Sequence, residues 1–236
     1  MKKYYIILFF FINSIYTFSQ ENVKSNTSNF GQNKKHFAYS FVNFGFITPP
    51  SEGNGADIIY GQSHIFTYGI KYKYKINDIF SIGAGINYNS QIWYLQQNSS
   101  KIIPNNIIYV KEKIQLNNIG AETFLRFNIG KRNNSIGNYI DISPYGEWSY
   151  KTKHETVTNS TNSNIILGEE YNVITNVNLN YIEIFNYGIK LSVGFGRVSI
   201  FSKYRISNIF IPEFKTLINN TELNRFVLGF EIGLHE

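Results

Sequence analysis

Residues 66–76 read FTYGIKYKYKI, and residues 80–89 read FSIGAGINYN. In the first stretch Phe66, Tyr68, Ile70, Tyr72, Tyr74 and Ile76 fall on one face, and Thr67, Gly69, Lys71, Lys73 and Lys75 on the other. In the second, Phe80, Ile82, Ala84, Ile86 and Tyr88 alternate with Ser81, Gly83, Gly85, Asn87 and Asn89. Strict period two is the mark of a β-strand with two unlike faces. Asn77-Asp78 between the stretches is a turn signal, so together they predict a long hairpin with a tight turn.

The same alternation extends along the chain and predicts about eight strands. His36–Ile47 is the first; its apolar phase slips between Phe41 and Phe44, which predicts a β-bulge. Lys113–Ile129 is the fourth, with Ile119, Ala121, Thr123, Leu125, Phe127 and Ile129 opposite Gly120, Glu122, Arg126 and Asn128; Phe124 breaks the pattern. Tyr139–Thr152, Val177–Val193, Val198–Ile206 and Leu223–Leu234 complete the set. Short connections at 77–78, 130–138 and 194–197 alternate with longer polar ones at 48–61, 96–106, 158–170 and 208–221. No internal repeat, helical pattern or domain linker is visible.

Period two leaves open which face meets water. A soluble barrel puts its apolar face inside; a membrane barrel reverses this. Four features favour the reverse. The strands reach or exceed the 9–11 residues that cross a bilayer at a tilt. Gly, Ser and Asn with a few charges fill the polar face, and small residues suit a narrow lumen. Aromatics recur near both ends of the apolar faces, as in interfacial girdles. Short turns alternate with long loops. The expected fold is therefore all-β, an eight-stranded antiparallel up-and-down transmembrane β-barrel.

Composition agrees. Hydrophobic residues make up 43%, aromatics 17%, and charged residues only 16%, against roughly 25% in an ordinary soluble domain. Cys is absent, which excludes disulfides, thiolate metal sites and a Cys nucleophile. The formal net charge is +6, scattered without a basic run, and no nucleic-acid partner is expected. Met1-Lys2-Lys3, the apolar run Tyr4–Ile12 and the small residues of Thr17-Phe18-Ser19 make the three-part pattern of a signal peptide over residues 1–19. The mature chain then starts near Gln20 or Glu21, with residues 20–35 a flexible lead-in and residues 36–236 the barrel.

With these features in place, the chain resembles the small eight-stranded outer-membrane barrels of Gram-negative bacteria, of OmpA-like and PorT-like, porin-family type. The likeness is one of architecture and covers nearly all of the mature chain. Leu228, Gly229, Ile232 and Leu234 are similar to the terminal-strand signal read by the barrel assembly machinery, although Phe226 replaces a usually polar residue and the chain ends in His235-Glu236. The resemblance implies an outer-membrane location, outer-membrane lipid as solvent, the assembly machinery as a partner, and an extracellular partner of unknown identity. A PorT-like role in secretion rests on this likeness alone.

Candidate chemistry is sparse. Of the four His residues, His36 and His235 fall at the periplasmic strand ends, and His64 and His154 at the extracellular rim, where solvation is expected. They do not form a metal site, no catalytic set is assigned, and no cofactor is implied. The inward charges are Lys71, Lys73, Lys75, Arg126, Lys190, Lys203, Arg205 and Arg225 with Glu122, Asp141, Glu147 and Glu231. Eight strands leave an interior that side chains fill, and buried charges must be paired, so these residues are expected to form a plug. The first and third strands offer no inward acid to the lysine ladder. Its partners must therefore come from farther around the barrel. The expected function is a non-enzymatic envelope or surface-interaction barrel; the alternatives are a small anion-preferring pore, a PorT-like secretion component, or a lipid-modifying rim enzyme.

Overall fold

The computed structural model describes residues 29–130, 135–159 and 171–235; the expected signal peptide and the first part of the lead-in lie outside these. The strands are β1 (His36–Thr48), β2 (His64–Lys75), β3 (Phe80–Tyr94), β4 (Lys111–Ile129), β5 (Asn138–Asn159), β6 (Tyr171–Val177), β7 (Phe185–Phe195), β8 (Val198–Arg205) and β9 (Phe226–Leu234), with one short helix, α1 (Pro212–Leu217). Eight of these strands close an antiparallel barrel: β1 through β5 pair in sequence, β5 also pairs with β7, and β7, β8 and β9 return to β1. β6 pairs only with the distal part of β5, from Lys153 to Asn159. We call the end bearing the short turns and the first and last described residues the turn end, and the other the loop end.

The structure corrects three details. β1 carries no bulge: its register against β2 runs unbroken from His36–Tyr74 to Phe46–His64. Phe37, Tyr39 and Phe41 point into the barrel and are buried. Gly69, opposite Phe41, makes room for that ring; a Cβ on Gly69 would lie 2.8 Å from it. The register shift sits instead between β4 and β5 at Asn117/Asn118, where Tyr150 is the extra residue. Two successive residues, Tyr150 and Lys151, then face outward, and β5 continues with Thr152, His154 and Thr156 inward. The sixth barrel strand is also interrupted. β6 ends at Val177, Asn178 takes φ 56°, and the chain re-enters the barrel at Phe185. Glu183 lies in this break, its N–H donating to the Ile209 carbonyl at 2.7 Å.

Below the bulge the outer wall is apolar. On β5 it carries Ile140, Ile142, Pro144, Gly146, Trp148 and Tyr150, and on β4 Ile119, Ala121, Thr123, Leu125, Phe127 and Ile129. At about 3.3 Å per residue and a tilt of about 40°, such a band stands ~25 Å tall. Above the bulge the polarity reverses. Ile47, Ile65, Trp93, Leu95, Ile114 and Leu116 turn inward and pack with Ile58, Ile103, Ile209, Phe210, Ile218 and Leu223 of the long connections. The 48–61, 96–106 and 208–221 stretches, expected as polar loops, thus supply an apolar core that caps the barrel.

Candidate functional site

The charged interior is built in tiers. At the turn end, residues 29–35, the described part of the lead-in, fold back on the barrel mouth. Gly31 N–H donates to the His36 carbonyl at 2.9 Å, and Phe30 stacks on His36 at 5.3 Å. The Lys73 ammonium donates to the Gln32 carbonyl, and Lys75 to the Asn33 side chain at 3.2 Å. Lys75 sits at the mouth rather than in the lumen, where it pairs with exposed Asp78 at 2.6 Å. His235 packs edge-on against Phe37 and Tyr39 at 5.2 and 5.3 Å. Burial, together with the cations of Arg197, Arg126 and Lys73, holds its imidazole below the ordinary histidine value.

The next tier is Arg126, fully buried. It donates through Nε and Nη2 to the two oxygens of Asp141 at 2.7 and 2.8 Å, and through Nη2 to the Tyr39 hydroxyl at 3.2 Å. The Tyr139 ring lies 3.5 Å from its guanidinium carbon. Arg126 and Asp141 are direct cross-strand neighbours, so register alone brings them together.

Above them is a quartet of alternating charge. Lys71 contacts Glu122 at 3.2 Å and Glu231 more closely. Lys190 contacts Glu231 at 2.6 Å and Glu122 at 3.7 Å. All four are buried. Lys71 and Glu122 face each other over Gly85, which lies opposite both in the two registers. A missing side chain on β3 thus lets a cation on β2 reach an acid on β4.

A final tier pairs Lys203 with Glu147. Asn89 donates to Glu147 at 2.9 Å, Asn118 to Asn89 at 2.9 Å, and Ser149 to Asn118 at 2.7 Å. Between this tier and the quartet lies a void of about 20 Å³, lined among others by Asn43, Thr67, Asn87 and Lys203, room for about one water. Along the lumen Lys71, Arg126, Lys190 and Lys203 thus each sit against a carboxylate, and side chains fill the space between strands.

Four residues lie apart from this network. Arg205, expected in the lumen, belongs to the cap, where it meets Glu222 at 3.3 Å and the carbonyls of Ser207 and Leu223 at 2.7 and 2.9 Å. Arg225 pairs with Glu52 at 2.6 Å across the loop end. His154 is buried at 6% exposure rather than solvated at a rim. Its Nε2 lies 2.7 Å from Glu112, which also receives Lys101 at 2.5 Å and Gln97 at 2.9 Å. His64 stays at the surface, 2.5 Å from the Gln62 carbonyl. Residue-by-residue reading missed Glu52, Lys101, Glu112 and Glu222. The available signal was the apolar content of the neighbouring stretches, Trp93 to Leu95 and Ile102-Ile103 in particular.

The arrangement can hold a barrel rigid with most of its interior charge paired. It offers no reactive constellation. Among the described residues, no three His, Asp or Glu side chains gather where a metal could bind, and no helix is long and apolar enough to cross a membrane. Leu228, Ile232 and Leu234 of the expected assembly signal face outward from β9, while Gly229 turns inward against the Phe44 carbonyl.

No family model and no curated protein matches the chain. Among solved structures the chain is similar to Ail, the attachment invasion locus protein of Yersinia pestis, solved in complex with the heparin analogue sucrose octasulfate. The identity is 12% and the TM-score 0.33, over 84% of this chain and 99% of that one.

Proposed function

We propose that the protein is an exported, non-conducting outer-membrane barrel of OmpA-like or PorT-like kind, delivered by its signal peptide and the barrel assembly machinery, that presents a folded cap outside the cell for contact with an extracellular partner. One observation carries this: a ~25 Å outer band of apolar residues encloses an interior of paired charges, with Tyr88, Trp148 and Tyr150 exposed at its upper border. In water such a wall would be an aggregation hazard; in a bilayer it is the required surface, and barrel closure leaves no backbone edge unsatisfied. The filled lumen favours a structural or adhesive role over a pore, and the buried state of His154 gives a rim enzyme no exposed base there.

Two measurements test this. Fractionation should recover the mature protein with outer membranes, and its gel mobility should change on heating; recovery as a soluble periplasmic species would end the proposal. In planar bilayers the reconstituted barrel should give no steady conductance steps. Steps that vanish when Lys71 and Lys190 become Gln would make it a pore.

A further inference from the structure

Among the described residues, β6 is the one strand with an uncovered edge. The other eight close the barrel, whereas β6 pairs on one side alone, with the distal part of β5. Asn178 N–H donates to the Thr152 carbonyl at 2.9 Å, and Lys153 stands opposite Val177. That phase turns the even-numbered residues of β6 toward β5 and the backbone N–H and C=O groups of Val173, Thr175 and Val177 away from it. Among the described residues these groups meet no other backbone. All seven residues of β6 are exposed, Val173 and Val177 by more than half.

Edge strands in water are ordinarily guarded by charge, proline, a bulge or shortness. β6, YNVITNV, has seven residues without charge, proline or glycine. The same edge is complementary to itself. Set antiparallel about a two-fold axis at Thr175, Thr175 meets Thr175 of the copy and Val173 meets the copy's Val177. Every opposed residue is odd-numbered, so each presents its free N–H and C=O to the other. No charges are brought together: the nearest, Lys153 and Glu155, stand one strand back on β5. The other edge of β6 is taken by β5, so the association closes at two copies rather than growing into a fibre.

We propose that β6 is a homotypic contact strand, pairing edge to edge with β6 of a second copy. The pairing axis stands perpendicular to the sheet, and the hairpin of β5 and β6 prolongs the barrel wall. The second barrel therefore points the opposite way, as from a membrane facing the first. This deepens the surface-contact reading above and rests on it: the extracellular partner is another copy of this chain. A foreign strand could bond the same backbone groups, but β6 itself supplies matched parity, β-branched cross-strand pairs and neutrality in one sequence.

The full chain tests this in detergent micelles, by sedimentation, and in phospholipid vesicles, by light scattering. The wild type should form dimers and cluster vesicles. Thr175→Cys copies should link through a disulfide on oxidation, since opposed bonded residues stand about 5.5 Å apart between Cα atoms, within disulfide range. Val157→Cys, one strand back, should not link. Thr175→Lys and Thr175→Glu should each weaken the dimer about fivefold or more, as like charges opposed across a ladder repel, and an equimolar mixture of the two should restore it. Thr175→Pro, which removes a free N–H without touching the β5 ladder, should leave vesicles dispersed. A wild type that stays monomeric overturns the proposal and leaves the edge to a foreign strand; a Thr175→Lys variant that pairs as well as the wild type also overturns it. Insertion into vesicles without clustering removes this proposal alone, whereas failure to insert removes the membrane reading with it.

Discussion

The barrel below the bulge and the cap above it are built from the same strands with opposite polarity. On β3, Ile82, Ile86 and Tyr88 face outward while Ser81, Asn89 and Gln91 are buried; two residues later Trp93 is buried at 0% exposure. β5 reverses through one extra residue, Tyr150. The lower half is held by ion pairs within an apolar shell, and the upper half by an apolar core within a mixed surface that also exposes Ile107, Val173 and Leu217. On the membrane reading proposed above, the difference follows the solvent of each half: charges are tolerated inside when lipid is outside, and apolar residues return inside where water is outside.

The largest effect that sharpens this contrast should come from the quartet. Glu231→Gln removes the carboxylate shared by Lys71 and Lys190 and leaves two buried cations competing for Glu122; a loss of about 3–5 kcal/mol is expected, as for other broken buried pairs. Unfolding by urea in micelles measures it. Replacing all four members by apolar residues of similar size should recover most of the loss, because the cost lies in stranded charge. A loss within the ~0.5 kcal/mol typical of surface changes would mean that the quartet is not dry.

Trp93→Ala should cost about 3 kcal/mol by opening a cavity, but only in the cap. Hydrogen exchange should rise in residues 95–110 while β7 and β8 stay protected. Equal loosening of both halves would erase the distinction between them.

Within the lower half, Gly83→Ala is expected to cost about 1–3 kcal/mol through overpacking. Its Cβ would stand 2.1 Å from the Phe124 ring, and the double variant Gly83→Ala/Phe124→Leu should be less destabilised than Gly83→Ala alone.

The smallest effect concerns pH. His235 is held below the ordinary value of 6.5 by burial and then by Arg197, Arg126 and Lys73. Its folded pKa therefore lies below its unfolded one. The neutral ring contributes stability in full above the unfolded value, and that contribution is lost as pH falls through the folded pKa. The unfolding midpoint should decline on acidification from about pH 7 to about pH 5, and His235→Phe should flatten that slope. An identical slope in the variant would assign the decline elsewhere.

Alternation in 66–76 and 80–89 carried the barrel and the separation of Lys71 from Tyr72, because period two is a backbone property that neighbours cannot alter. Two things escaped it. Pairing depends on strand register, so Gly85 as the gap through which Lys71 reaches Glu122 is visible only once β2, β3 and β4 are aligned. The cap escaped because its apolar residues, such as Ile58, Ile103 and Phe210, are dispersed among Asn, Ser and Gly, and only the fold brings them together. In β1 the sequence misled: the slip of apolar phase between Phe41 and Phe44 reads as a bulge, whereas the register is unbroken and Phe37, Tyr39 and Phe41 are buried inside the barrel.

The central claim is that the band from Ile140 to Tyr150 faces lipid while its alternate residues face a closed interior. The chain has no cysteine, so single-cysteine variants report individual positions. With a bimane label in brominated-lipid vesicles, Ile86→Cys and Ile142→Cys should be strongly quenched. Ser143→Cys and Ser192→Cys should resist labelling in the folded barrel and show no quenching once labelled during refolding. Quenching at Ser143 and Ser192 with none at Ile86 and Ile142 would contradict this arrangement and put the apolar face inside.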